Sequence, residues 1–192
     1  PNGGAIAYAH VELAERLTDR AWIDSFAEGT VGAAYRHFLD STGYSADGLV
    51  AVSMTEGAFQ DVTMEHPYAW MGRRERDIHD LWHVITGYKA DEHLGEACLV
   101  AFSYAQTGGL GWAFIGLGAA LKSIRVTGKM DFFKAVIEGY RRGKQAGWLH
   151  GEDYETLLAE PLDQVRRRLN VAAPVKYQVA QASLAAQGLK GI

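Results

Sequence analysis

The scarcity of proline constrains this chain more than any other feature of its sequence. Only four of the 192 residues are proline, and none lies between Pro67 and Pro161. Proline breaks helices because it lacks a backbone N–H and clashes with the preceding turn, so this long span is free to be helical. Apolar residues recur at helical spacing, and alternating β-branched runs are nearly absent. We therefore predict an all-α fold.

Length and composition indicate one globular, multi-helix domain. The 48% hydrophobic and 22% charged content is close to average for soluble domains. With 19 basic and 23 acidic residues the formal charge is −4, which argues against a nucleic-acid-binding protein. The single cysteine, Cys98, lies in the apolar run ACLVAF and fits a reducing compartment. The start, PNGGAIAYAH, lacks the features of a signal peptide, and its opening proline leads us to expect a sequence that begins inside a longer chain.

Helix start and stop residues divide the chain. Thr30 and Asp91 are predicted N-caps, and Gly43 is a predicted stop. Weak periodicity and many small residues after residue 170 predict an extended C-terminal tail, residues 171–192, that follows a helical domain of residues 1–170. The predicted helices cover residues 10–29, 30–43, 46–60, 69–89, 91–107, 110–124, 131–147, 153–160 and 161–170.

The stretch HDLWHVITGYKADEHLGE, residues 79–96, carries the strongest candidate for chemistry. At about 100° per residue, His79, Asp80 and His83 share one helical face. Glu96 lies early in the next helix, and antiparallel pairing would bring its carboxylate opposite the histidines. Imidazole and carboxylate ligands suit zinc, and also manganese or iron. The alternative is the polar side of an ordinary helix.

Neighbouring residues extend this candidate site. Arg76 places a cation on the same face, and Gly87 leaves space for a ligand one turn further on. The motif differs from the His-Glu-x-x-His signature of zinc proteases, because aspartate follows the first histidine. A metal-dependent phosphohydrolase with a His-Asp motif is a further alternative, but the other histidines lack obvious partner ligands. These histidines are His66, His93 and His150.

These motifs resemble the coenzyme Q (ubiquinone) biosynthesis protein 4 family, whose hallmark is His-Asp-x-x-His followed by eleven residues and Glu. The resemblance covers about residues 25–170 and includes EGTVGAAYRHFLDSTGYS, RERDIHDLWHVITGY, LGEACLVAFSYAQTGG and EGYRRGKQAGWLHGEDYETLLAEPLDQVRRRL. Here twelve residues, VITGYKADEHLG, separate His83 from Glu96. The extra residue lies in the turn, so Glu92 is an alternative to Glu96 as the fourth ligand.

The resemblance implies a helical homodimer with a divalent metal, usually zinc, held by the motif residues between two adjacent antiparallel helices. It implies decarboxylation, alone or coupled to ring hydroxylation, of a polyprenylated 4-hydroxybenzoate-type precursor in ubiquinone biosynthesis. Arg76 would hold the substrate carboxylate, and Asp80 would act beside it. A non-catalytic lipid-binding scaffold that organises the other ubiquinone biosynthesis proteins is the alternative. We expect a cytoplasmic protein associated peripherally with the inner membrane.

A polyprenyl tail requires an apolar groove, which we predict at the glycine-rich run from Gly108 to Leu121. This run is shorter than the roughly 20 residues of a membrane span. It contains five glycines, and because glycine destabilises helices, a groove between helices would explain their presence. Basic residues at 141–144 and 166–168 are predicted to touch anionic lipid headgroups. The predicted groove residues are Gly87, Gly108, Gly111, Trp112 and Gly116.

Overall fold

In a computed structural model of the protein, residues 13–43, 67–108 and 130–188 are described, and they are almost entirely helical. The only β pairing in these ranges is an isolated antiparallel bridge between Thr30 and Pro161, so the all-α prediction is confirmed there. A 3-10 turn covers Leu149–Gly151. The α-helices are α1 (Leu13–Thr18), α2 (Arg20–Asp24), α3 (Val31–Thr42), α4 (Pro67–Thr86), α5 (His93–Thr107), α6 (Asp131–Gln145), α7 (Tyr154–Leu157), α8 (Leu162–Arg168) and α9 (Val175–Ala185).

The chain divides into two compact units. The first contains residues 1–81 and 150–165, and the second contains residues 82–149 and 166–192. The division falls inside α4, which runs continuously from Pro67 to Thr86. The predicted helices at 46–60 and 110–124 lie outside the described residues. Among those that are described, no helix is both long enough and apolar enough to cross a membrane.

In the first unit, side-chain caps set the helix boundaries. The Thr30 hydroxyl accepts a hydrogen bond from the Ala33 N–H at 3.2 Å, and Gly43 ends α3 in the left-handed conformation, as predicted. The prediction of a single helix over residues 10–29 is wrong. Asp19 interrupts it because its carboxylate accepts from the Trp22 N–H at 3.1 Å and starts α2 as a new helix.

A buried ion pair links two parts of the first unit. Arg74, on α4, donates to both carboxylate oxygens of Glu155, on α7, at 3.1 and 2.9 Å. The side chain of Arg74 is 2% exposed and that of Glu155 is 21% exposed. Burial is the largest single effect and raises the pKa of Glu155, but the hydrogen bonds and positive charge of Arg74, together with further hydrogen bonds to the carboxylate, outweigh it and lower this pKa.

We expect this pair to make stability depend on acid pH. A carboxyl group whose pKa is lowered by folding stabilises the protein above its unfolded pKa, and this contribution is lost as pH falls through the folded pKa. Glu155→Gln should therefore cost about 1–2 kcal/mol at pH 7 and much less near pH 3. Urea unfolding at both pH values measures the difference, with the exposed Glu15→Gln as control. An equal cost at the two pH values would contradict the assignment.

In the second unit, α5 and α6 approach each other through glycines. A Cβ atom on Gly139 would lie 2.5 Å from the Cys98 carbonyl oxygen, and one on Gly143 would lie 2.5 Å from that of Phe102. Real Cβ atoms do not approach a carbonyl oxygen so closely, and both neighbours are backbone. The two glycines therefore permit a helix separation that alanine would not.

The C-terminal residues differ from the predicted extended tail. Val175–Ala185 form α9, which packs on α6. The carboxylate of Glu138 accepts from the Lys176 N–H at 2.7 Å, and so stabilises the N-terminus of α9. The sequence pattern was weak because two of the more apolar residues, Val175 and Val179, are exposed. The buried stripe is Tyr177, Ala180 and Leu184.

Two arginine side chains satisfy the last carbonyl groups of α4. Arg166 donates to the carbonyl oxygens of Ile85 at 2.9 Å and Val84 at 3.0 Å. Arg142 donates to that of Thr86 at 2.8 Å. The last turn of a helix has no intrahelical donors for these oxygens, so the two guanidinium groups stabilise this end of α4.

Candidate metal centre

Three predicted ligands come together where α4 leads into α5. His79 and His83 lie one turn apart on α4, and Glu96 lies in the first turn of α5. One ligand atom from each of the three residues lies within 4.8 Å of the other two. His83 Nε2 is 3.3 Å from Glu96 Oε1. Of the predicted set of four, these three form the cluster.

One distance in this cluster matches the separation of two ligands on a metal ion. Two ligands at about 2.0–2.1 Å from a tetrahedral zinc ion are about 3.3–3.4 Å apart. The distance between His83 Nε2 and Glu96 Oε1 has this value. Two imidazoles and one carboxylate are also a ligand set of catalytic zinc sites, which keep a fourth position open.

The backbone of the following turn orients His83, which is 1% exposed. Its Nδ1 lies 3.0 Å from the carbonyl oxygen of Tyr88. A carbonyl only accepts hydrogen bonds, so Nδ1 carries a proton, and Nε2 is the nitrogen that faces Glu96. A metal-binding histidine normally has such a partner on its second nitrogen, because the partner fixes both tautomer and ring orientation.

Tyr88 is itself held by side chains distant in sequence. Its ring lies edge-on to Tyr177, with centroids 5.2 Å apart, and the Arg142 guanidinium lies 4.8 Å from its centroid. Tyr177 also accepts a hydrogen bond from the Lys89 N–H at 3.1 Å. The helix predicted to be a tail thus fixes the turn that presents a carbonyl to His83.

Gly95 is a site-shaping residue that the sequence analysis missed. A Cβ atom there would lie 1.9 Å from the Lys89 carbonyl oxygen, so only glycine lets the turn fold back against the start of α5. The feature of the sequence that could have indicated this role is the position of the glycine directly before Glu96, in LGE. The N-cap position of α5 is Glu92, one residue after the predicted Asp91.

Glu92, the alternative ligand, is engaged elsewhere. Its carboxylate accepts from the Tyr177 hydroxyl at 3.0 Å, from Gln181 Nε2 at 2.8 and 2.9 Å, and from Lys89 Nζ at 3.2 Å. Although Glu92 occupies the N-cap position of α5, its side chain makes no capping hydrogen bond to the backbone of that helix. The structure therefore brings Glu96, and not Glu92, to the histidines.

Asp80 lies beside the cluster without belonging to it. It is 2% exposed, and its Oδ1 is 3.5 Å from His79 Nδ1. Its Oδ2 has no hydrogen-bond partner among the described residues. Burial, together with the charges of Asp80 and Asp77, raises the pKa of the Tyr35 phenol. The structure thus places Asp80 where it can orient the His79 ring, and its role as a metal ligand stays a prediction.

Arg76 is paired with its neighbour in sequence. Its Nε and Nη2 lie 3.0 and 2.7 Å from Asp77 Oδ1. A substrate carboxylate at Arg76 would have to share the guanidinium with Asp77.

The predicted lipid-contact residues have other roles where they are described. Gly87 and Gly108 both have positive φ and end α4 and α5, so helix termination accounts for them. Arg142 is 5% exposed and donates to the carbonyl oxygens of Ala172 and Thr86, so part of its donor capacity stabilises the chain's own backbone. The other predicted groove residues, Gly111, Trp112 and Gly116, lie outside the described residues.

The described residues form a helical fold with a candidate metal site of two histidines and a glutamate. Residues 1–175 match the sequence model of the family described as Coenzyme Q (ubiquinone) biosynthesis protein Coq4. The chain belongs to this family.

Relatives come from animals and fungi. The mitochondrial ubiquinone biosynthesis protein COQ4 homolog of Danio rerio is 25% identical over 91% of this chain, and that of Nematostella vectensis is 28% identical over 77%. The coq4 protein of Talaromyces stipitatus is 27% identical over 91%. The matched parts are 61%, 68% and 57% of these relatives, so the chain spans about three fifths of their length.

A solved structure shares the fold. The crystal structure of a candidate ubiquinone biosynthesis protein from Nostoc punctiforme superposes with a TM-score of 0.58 at 19% identity. The match covers 90% of this chain and 82% of that protein. At this identity the likeness concerns the fold alone.

Proposed function

We propose that this chain acts in ubiquinone biosynthesis as a metal-dependent decarboxylase of a polyprenylated 4-hydroxybenzoate-type precursor. Membership of the Coq4 family supports the pathway. The observation that carries the chemistry is the convergence of His79, His83 and Glu96 within 4.8 Å. Zinc is the expected ion, with manganese and iron as alternatives.

The chain's own residues prepare the site. The Tyr88 carbonyl keeps the proton of His83 on Nδ1 and so leaves Nε2 available as a ligand. Glu96 is 38% exposed and His79 is 26% exposed, so the cluster can be reached from outside. A bound divalent ion would supply Lewis-acid stabilisation of negative charge on substrate oxygen atoms. Three protein donors leave a position for that substrate.

The proposed reaction is a proton-for-carboxyl exchange on the aromatic ring. The bond between ring carbon and carboxylate breaks, carbon dioxide leaves, and the ring carbon takes a proton. Arg76 stays the proposed partner of the substrate carboxylate, in competition with Asp77. Asp80 would position His79 through the contact at its Nδ1.

Activity is tested with purified protein, added metal and a short-chain prenylated 4-hydroxybenzoate. We expect release of carbon dioxide and a product that lacks the carboxyl group, both followed by mass spectrometry. His83→Ala should abolish turnover, whereas His93→Ala, at an exposed histidine of the same region outside the cluster, should retain it. Absence of turnover with zinc, manganese and iron would refute the decarboxylase.

A scaffold is the second candidate, and one observation favours it. The cluster joins consecutive helices, and His83 is buried, so an ion there would also stabilise the fold. A scaffold predicts that metal removal lowers the melting temperature while no metal gives turnover. A phosphohydrolase has less support, because within the described ranges His93 and His150 are outside the single candidate cluster.

We propose the remaining partners on the strength of the sequence resemblance. They are an isoprenoid lipid tail, other ubiquinone biosynthesis proteins, a second copy of the chain, and the inner membrane as a peripheral contact. Native mass spectrometry of the purified chain tests the lipid and the dimer together.

A further inference from the structure

Helix α6 has two chemically different faces. One carries Ala135, Gly139 and Gly143 and is buried, with the two glycines against α5. The residues of the other face recur at intervals of three and four positions. Together with residues 172, 173 and 176, they line a groove of about 580 Å³. This second face, which we call the α6 groove, shares no residue with the candidate metal cluster.

Part of the α6 groove is apolar. Phe133 and Ile137, one turn apart, are both partly exposed within it. Met130 extends this surface and is 51% exposed. A helix that buries one apolar face normally shows polar residues on the other, so this second apolar stripe is unusual.

The rest of the lining is strongly cationic. Lys134, Arg141, Arg142 and Lys176 line the groove together with the carboxylate of Glu138, and Lys134 is paired with Asp131 at 3.1 Å. The carboxylate of Glu138 already accepts from the backbone N–H of Lys176. The groove therefore combines excess positive charge with an apolar surface.

Arg142 supplies a buried part of this charge. It is 5% exposed, and its hydrogen-bond acceptors are the carbonyl oxygens of Ala172 and Thr86, which carry no net charge. Its Nη1 has no hydrogen-bond partner among the described residues. A buried guanidinium with donor capacity to spare favours an anion in its vicinity.

We propose that the α6 groove binds a monomeric amphiphilic anion, a carboxylate joined to an aliphatic or aromatic body. The carboxylate lies among Arg141, Arg142 and Lys176, and the apolar body lies on Phe133 and Ile137. The volume is within the range of small-molecule sites. A monomeric ligand fits better than a flat membrane surface, because a membrane cannot follow a concave groove toward a buried arginine.

Calorimetric titration with three matched probes tests this assignment. Decanoate has both charge and chain, decanol has the same chain without charge, and acetate has the charge without the chain. We expect decanoate to bind at least about tenfold more tightly than either of the others. Equal affinity for decanoate and decanol would overturn the proposal, since the cations would then contribute nothing.

Charge removal tests the location. The double variant Arg141→Gln/Lys176→Gln should weaken decanoate binding about tenfold, because each exposed charge contributes about threefold. Arg167→Gln removes an exposed charge away from the groove and should leave binding unchanged. Unchanged affinity in the double variant would place the ligand elsewhere.

Vesicles distinguish the two sources of such an anion. Binding to vesicles of an acidic phospholipid, without binding of monomeric decanoate, would replace the proposal with a membrane contact. Metal content, measured on the same double variant, should equal that of the unmodified chain. Ligand binding therefore tests the groove proposal and metal content tests the metal site, so either proposal can be refuted without the other.

Discussion

Replacing His83 with alanine is expected to reduce bound metal from about one ion per chain to background. His83 offers a preset nitrogen donor at the centre of the cluster, with Nε2 3.3 Å from Glu96 and Nδ1 held by Tyr88. Removal of one of three ligands should weaken affinity by more than the roughly 10–100-fold that loss of a supporting contact costs. Elemental analysis after dialysis, and titration with cobalt followed by its absorption, measure the change.

Two further variants sharpen this result. His93→Ala keeps the cluster and should bind metal as the unmodified chain does. Asp80→Asn tests the residue beside the cluster, and a loss of about 10–100-fold is expected if Asp80 only orients His79. Equal metal content in His83→Ala and the unmodified chain would eliminate the site.

Replacing Gly139 with alanine is expected to destabilise the chain by about 1–3 kcal/mol, and with valine by more. The added Cβ would meet the Cys98 carbonyl oxygen at 2.5 Å, so α5 and α6 would have to move apart. This packing cost exceeds the roughly 1 kcal/mol that alanine gains over glycine within a helix.

Urea unfolding of Gly139→Ala and Gly139→Val measures the effect. Lys144→Ala, at an exposed position of the same helix, should change stability by no more than about 0.5 kcal/mol. A more stable Gly139→Ala would show that helix propensity outweighs packing at this contact, which is the reverse of our expectation.

Features set by nearby residues could be predicted from the sequence. Thr30 and Gly43 bound α3 through contacts within one turn, and the spacing of His79 and His83 follows from helix geometry alone. Asp19 is a local feature as well, but helical periodicity continues past it and concealed the break.

Features that depend on distant residues could not be predicted. The carboxylate of Glu92 is engaged by the hydroxyl of Tyr177, 85 residues later in the sequence. The requirement for glycine at position 139 comes from a carbonyl oxygen on another helix. Helix α9 escaped prediction because its buried stripe includes an alanine while valines face outward.

The attachment of α9 to the turn before α5 has a consequence for biosynthesis of the chain. A ribosome releases His79, His83 and Glu96 well before Tyr177 and Gln181, so the ligands exist while both nearby glutamates can still turn toward the histidines. Docking of the last helix engages Glu92 through Tyr177 and Gln181 and leaves Glu96 as the partner. The helix that is made last therefore determines which of the two glutamates stays near the histidines.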